Sequence, residues 1–165
     1  MQKVIPRLLV FLSILLFASF AIAMDKLSGE RNFEANLSGN EEVPPVQTKV
    51  KGQAKFQFSR EGDNLTYTLN ISNIKDVTAA SIQKGKKGEN GPPILNLFTE
   101  PKKEDITGKV LAEGKVEPYL FIGPLKGKSV NSLIQLMEAG EAYVNIQTKK
   151  HPDGEIRGQI RSVRR

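Results

Sequence analysis

The chain has 165 residues, with 24 basic and 18 acidic side chains, a single histidine, no cysteine and no tryptophan. That length suits one domain with a real core, and a formal charge of +6 is too mild to mark a nucleic-acid binder. Lack of cysteine excludes a disulfide framework, a thiolate nucleophile and most zinc motifs, and one imidazole excludes a histidine cluster.

Residues 1–23 have the three parts of a secretory signal: Lys3 and Arg7 in a basic start, an apolar run over 8–20, and Ala21-Ile22-Ala23 before Met24. Cleavage after Ala23 is expected. The alternative is an uncleaved anchor, but 8–23 is shorter than the roughly 20 apolar residues of a spanning helix. No stable membrane span is therefore expected after cleavage. The product is expected to be secreted, or held at the cell surface or in the periplasm, with its charge reduced to about +4. Residues 24–31 read as a short polar leader and 32–165 as the single domain.

Period-two alternation dominates from there. Phe33, Ala35 and Leu37 form the first apolar set, and Ala54, Phe56 and Phe58 alternate with Gln53, Lys55 and Gln57. After Glu61-Gly62-Asp63-Asn64 the pattern resumes with Leu65, Tyr67, Leu69 and Ile71, which predicts an antiparallel hairpin. Further strands are predicted over 77–83 and 94–98, and one or two over 105–116. Val130, Leu133, Ile134, Leu136 and Met137 fall instead at helical spacing, with Ser129 or Asn131 to cap the start and Gly140 just past the end. One helix is expected over 129–139, its apolar stripe closing an end of the β core. In the last hairpin Ala142, Val144 and Ile146 alternate with Tyr143, Asn145 and Gln147, then His151-Pro152-Asp153-Gly154 turns the chain into a strand with Ile156 and Ile160. Each of its strands is expected to bury one face. Short strands with regular turn signals give an all-β chain, an antiparallel sandwich or barrel of Greek-key-like type with one short helix.

Several motifs in order resemble the chordin-type CHRD domain. The hairpin resembles that family's closing Tyr-Val-Asn-Val-His-Thr, loop, Gly-Glu-Ile-Arg-Gly-Gln, here Tyr143-Val144-Asn145-Ile146-Gln147-Thr148 and Gly154 to Gln159. Leu37-Ser38-Gly39-Asn40-Glu41-Glu42-Val43-Pro44-Pro45-Val46 resembles its opening, Gly52-Gln53-Ala54 its Gly-x-Ala, Gly91-Pro92-Pro93 its central loop, and 122–129 the approach to its helix. The resemblance implies an all-β sandwich or barrel; with one histidine and no cysteine, the chain is expected to act as a binding or structural module, without catalysis and without a cofactor.

The departures lie where the family carries histidines. Its Ala-His-Ile-His-x-Gly is here Ala80-Ser81-Ile82-Gln83-Lys84-Gly85, and its Val-His-Thr is Ile146-Gln147-Thr148. Alternate strand positions share a face, so the family residues could converge as a metal or proton site. Amide oxygens are poor ligands for zinc or copper, so no metal is expected at Ser81, Gln83 and Gln147. These three read either as a structural hydrogen-bond cluster or as part of a binding site. Lys84, Lys86 and Lys87 follow the first site and Lys149, Lys150 and His151 the second. If the two sites meet, five lysines rim one end of the domain and offer a surface to an acidic glycan or protein partner outside the cell. The ordinary reading of those lysines is a solvated loop edge. The alternative function is a degenerate metal-binding or redox protein that retains a small-ligand or enzymatic site at the former histidine positions. Glu155 and Arg157, two apart on one strand face, read as structural because no second positioned carboxylate or base accompanies them.

Overall fold

The computed structural model describes residues 31–59, 64–98 and 109–163. The expected signal and the start of the leader, most of the 61–64 turn and residues 105–108 lie outside the described residues. The strands are β1 (Arg31–Ser38), β2 (Lys51–Ser59), β3 (Asn64–Ser72), β4 (Val77–Lys84), β5 (Pro93–Phe98), β6 (Lys109–Val116), β7 (Ala142–Thr148), β8 (Ile156–Gln159) and β9 (Arg161–Val163). A helix, α1 (Val130–Glu138), stands between β6 and β7.

All strands join one antiparallel sheet in the order β5-β4-β7-β8-β1-β2-β3-β6, with β9 also on β1. The sheet curls until its two ends come into contact. Among the described residues no ladder joins β5 to β6; instead the Tyr67 hydroxyl on β3 donates to the Leu97 carbonyl on β5 at 2.8 Å. The result is a nearly closed barrel with one helix, the expected class. On the β5 edge, Phe121 bridges to Leu95 and the Ile122 N–H bonds the Ile94 carbonyl, which covers donors and acceptors that would otherwise invite another strand.

The alternating apolar sets fill the interior. Phe33, Leu37, Phe56, Leu65, Leu69, Ile82, Ile146 and Ile156 are all buried there. The helix adds Val130, Leu133, Ile134 and Met137 and packs on β7 and β9. Its end follows the expected chemistry: Gly140 takes φ +67, Gly140 N–H bonds the Met137 carbonyl and Glu141 N–H bonds the Leu136 carbonyl, satisfying two carbonyls of the last turn.

The last strand switches partners. Tyr143 to Ile146 pair with Ile156 to Gln159, whereas Glu34, Phe33 and Asn32 pair with Arg161, Ser162 and Val163. Ile160 marks the break, its N–H turning to the Ala142 carbonyl. Here β1 crosses β8 so closely that a Cβ on Gly158 would lie 2.5 Å from the Asn36 carbonyl oxygen. Glycine is required at that crossing.

One expectation is corrected. The final hairpin buries both faces, not one: Tyr143 is fully buried, and Asn145 and Arg157, on the face that alternation assigns to solvent, are 4% and 2% exposed. The cause is two loops, 39–46 and 85–92, folded over the outside of the sheet.

Candidate functional site

The outer face carries a polar row at matched register. Ser81 on β4 stands opposite Asn145 on β7, and Asn145 opposite Arg157 on β8. The Arg157 guanidinium lies over the Tyr143 ring, 3.5 Å from its centroid. It donates to the Asn90 Oδ1 at 3.1 Å, the Lys86 carbonyl at 3.0 Å and the Glu89 carbonyl at 2.8 Å. One buried cation thus fastens the 85–92 loop to the sheet. Tyr143 continues the network: its hydroxyl donates to Gln83 Oε1 at 2.5 Å and accepts from the Gly91 N–H at 3.0 Å. The Gln159 amide group reaches the carbonyls of Gly85, Gly140 and Ala142. Glu155 accepts from Thr48 and Thr148, both at 2.8 Å. Glu155 and Arg157 are therefore structural, each holding a different segment.

Beside this network is a cleft of about 570 Å³. Its amide lining is Gln83, Asn90, Asn145 and Gln147; one wall is Glu42, Val43, Pro44 and Val46, and the other is the turn from Lys150 to Gly154. Asn90 Nδ2 donates to the Val43 carbonyl at 2.7 Å and so links the first wall to the 85–92 loop. Glu42 is only 6% exposed. Burial pushes its carboxyl up from 4.5 to about 7, and the Arg157 charge opposes that rise. Asn145 Nδ2 donates to Glu42 Oε2 at 3.4 Å and to the Asp153 carbonyl at 3.3 Å. Glu42 Oε1 and Asn145 Oδ1 are buried without a hydrogen-bond partner among the described residues.

The sequence-predicted residues divide. Gln83, Gln147 and Lys150 line the cleft. Ser81 is buried and accepts from Gln83 Nε2 at 3.3 Å, which ties it to the network. The register places Gln83 opposite Tyr143 and Gln147 opposite Ala79, four residues further along the strands. That separates the two amides by ~13 Å along the strand direction. The family's histidine positions are thus strung along a groove and do not meet at a point.

The five lysines do not form one rim. Lys84 pairs with Ala142 at one end of β4, whereas Lys149 N–H bonds the Asp76 carbonyl at the other. Antiparallel pairing of β4 with β7 sets them ~24 Å apart. Lys86 reaches Glu141 at 3.7 Å, Lys87 reaches Glu41 at 3.1 Å and Lys149 reaches Asp76 at 3.2 Å. Lys84 and Lys86 instead border a shallower hollow with Glu89 and Glu141.

Sequence reasoning missed Glu42, Asn90 and Asn145. Glu42 and Asn145 sit inside the two motifs that carry the resemblance, where they read as signature letters only. A usable signal was the polar pair at matched register, Asn145 opposite Arg157, in a hairpin with no reason to keep both on a solvated face.

A family model for the CHRD domain matches residues 33–160. The chain belongs to the CHRD domain family. No curated protein and no solved structure matches it. CHRD domains are in general non-catalytic modules of extracellular type, and they occur in secreted proteins. Among the described residues no helix is long and apolar enough to cross a membrane. Residues 33–160 contain every side chain of the cleft, so the site is built within the CHRD unit.

Proposed function

We propose that this exported CHRD domain is a non-catalytic binding module whose site is the cleft, and that it takes an extended, uncharged, hydroxyl-rich ligand of the neutral oligosaccharide class. The carrying observation is the amide lining of Gln83, Asn90, Asn145 and Gln147. An amide offers donors and an acceptor together, which matches a hydroxyl that both donates and accepts. Gln83 and Asn90 each keep a second N–H beyond the one given to Ser81 or Val43, Gln147 adds its whole amide, and Asn145 is committed to Glu42 and Asp153. Charge in the cleft is mixed, with Glu42 in one wall and Lys150 beside Asp153 in the other, so neither strongly anionic nor strongly cationic ligands are favoured. Val43, Pro44, Val46 and Pro152 add apolar wall against which the carbon faces of a sugar can pack.

The groove's length supports an extended ligand over a single metal ion, and amide oxygens are weak ligands for zinc or copper. The separation of the lysines, three of them ion-paired, favours a neutral ligand over an acidic polymer held by a lysine rim. The test is retention of the mature protein on immobilised neutral oligosaccharides and on sulfated ones, over a range of salt. Gln147→Ala should weaken neutral retention by about tenfold, the loss of one or two hydrogen bonds. Charge reversal at Lys86, Lys87 and Lys149 should leave it unchanged. Retention confined to sulfated chains, removed by salt and by charge reversal, would reinstate the acidic partner.

A further inference from the structure

Glu42 and Asn145 form a knot that is short of one hydrogen-bond donor. Both are buried, and Asn145 Nδ2 is spent on Glu42 Oε2 and the Asp153 carbonyl. Glu42 Oε1 and Asn145 Oδ1 are left as acceptors with no donor bonded to them among the described residues. Gly154 is what lets them gather: a Cβ there would lie 2.6 Å from Asn145 Nδ2 and from Glu42 Oε1, and 2.8 Å from Glu42 Oε2. No ion pair joins Glu42 to a cation among the described residues; the nearby Arg157 directs its donors to Asn90, Lys86 and Glu89.

An ionised carboxylate in that place leaves Glu42 Oε1 and Asn145 Oδ1 both unpaired. A carboxylic acid brings an O–H, and that O–H can satisfy the neighbouring amide oxygen. We propose that Glu42 is a proton-operated latch: its protonated form holds the 39–46 loop against the sheet, and loss of the proton frees that wall of the cleft. The loop is poised for this. Glu42 N–H and Val46 N–H bond the Gly39 carbonyl within the loop, and the bonds that tie it to the 85–92 loop, Asn90 to the Val43 carbonyl and Lys87 to Glu41, both lie next to Glu42.

Burial supports the same direction, since it raises the Glu42 carboxyl from 4.5 to about 7 against the opposing Arg157 charge. The other charged groups around it are Lys150, His151 and Asp153 from the β7–β8 turn, Glu155 held by Thr48 and Thr148, and Glu41 paired with Lys87. The inference goes beyond the ligand reading, because the latch works whatever occupies the cleft.

The experiment follows the exchange protection of the Glu42 and Val46 amides by NMR between about pH 5 and 8.5, corrected for intrinsic exchange, alongside the Glu42 carboxyl carbon shift. With a carboxyl that titrates at 4.5 when the loop is open and about 7 when it is closed, opening should become roughly 75-fold more frequent over that range. Glu42→Gln should flatten the response, and His151→Asn should leave it intact. A wild-type carboxyl titrating at the ordinary 4.5, or protection that does not change with pH, would overturn the latch. The carboxyl titration is read in the wild type, so the outcome does not depend on any variant folding. It is read without ligand, so failure of the oligosaccharide reading leaves it untouched.

Discussion

Arg157 is the most heavily used buried charge in the outer network, and its removal gives a sharp test of that network. Arg157→Met keeps much of the volume and the stem packing but leaves the Lys86 and Glu89 carbonyls and the Asn90 amide without their donor. Hydrogen bonds from a charged group contribute about 1.5–3 kcal/mol each, and a desolvated cation over an aromatic ring adds about 2 kcal/mol. These contributions overlap, so the expected loss is about 3–5 kcal/mol, the range seen when one member of a buried charged network is deleted. Arg157→Lys keeps the charge but not the planar fork, so it cannot serve three acceptors while lying flat on Tyr143. It should lose about 2 kcal/mol. Urea unfolding at about pH 5, where Glu42 stays protonated in the fold, separates this effect from the influence of Arg157 on Glu42. The midpoint should fall with an unchanged slope. A loss within about 0.5 kcal/mol for Arg157→Met, the size of an ordinary surface change, would refute the claim that this cation holds the 85–92 loop in place.

Three further outcomes are expected. Gly158→Ala forces a methyl into the Asn36 backbone, 2.5 Å away, and should cost about 3 kcal/mol or more in thermal or urea unfolding by prising β1 from β8. Gly140→Ala meets no atom within 4 Å and carries only the strain of φ +67, so about 1 kcal/mol is expected. For pH, the folded Glu42 carboxyl stands above its unfolded value, so its stabilisation is full below about pH 4.5 and is lost as pH rises through about 7. Unfolding free energy should fall by up to about 3 kcal/mol across that window, capped by the cost of opening the 39–46 loop. Glu42→Gln should match the wild type near pH 4.5 and exceed it at pH 8; the reverse order would contradict a buried neutral acid.

Most of the fold was legible because its signals are local. Alternation named the strands, helical spacing over 130–137 named α1, and Gly140 named its end. The turn over 151–154 was legible too, and its Gly154 N–H does bond the His151 carbonyl. What alternation cannot report is a second layer. Tyr143, Asn145 and Arg157 occupy the solvent phase of the pattern and are buried by loops that arrive from about 50 to 100 residues away in sequence. A polar residue covered in this way must be hydrogen-bonded, so the cover is specified by amides, carbonyls and one guanidinium, none of which carries a period.

The site was half legible for the same reason. Gln83 and Gln147 could be singled out because they replace histidines in a recognisable motif, but their relation depends on the β4–β7 register, which no single strand encodes. With Gln147 opposite Ala79, the positions that seem to converge on paper are spread along a groove, and the lysines that follow them are sent to opposite ends of the domain. Glu42 then becomes the residue on which the site's behaviour turns. It is the one carboxylate in the cleft wall that is buried, its neighbours offer it acceptors where it needs a donor, and the loop it anchors is the wall itself. With amides at two of those positions, the cleft still holds a buried carboxyl in its opposite wall, raised to about 7 by burial, and that is the group on which the proposed latch rests.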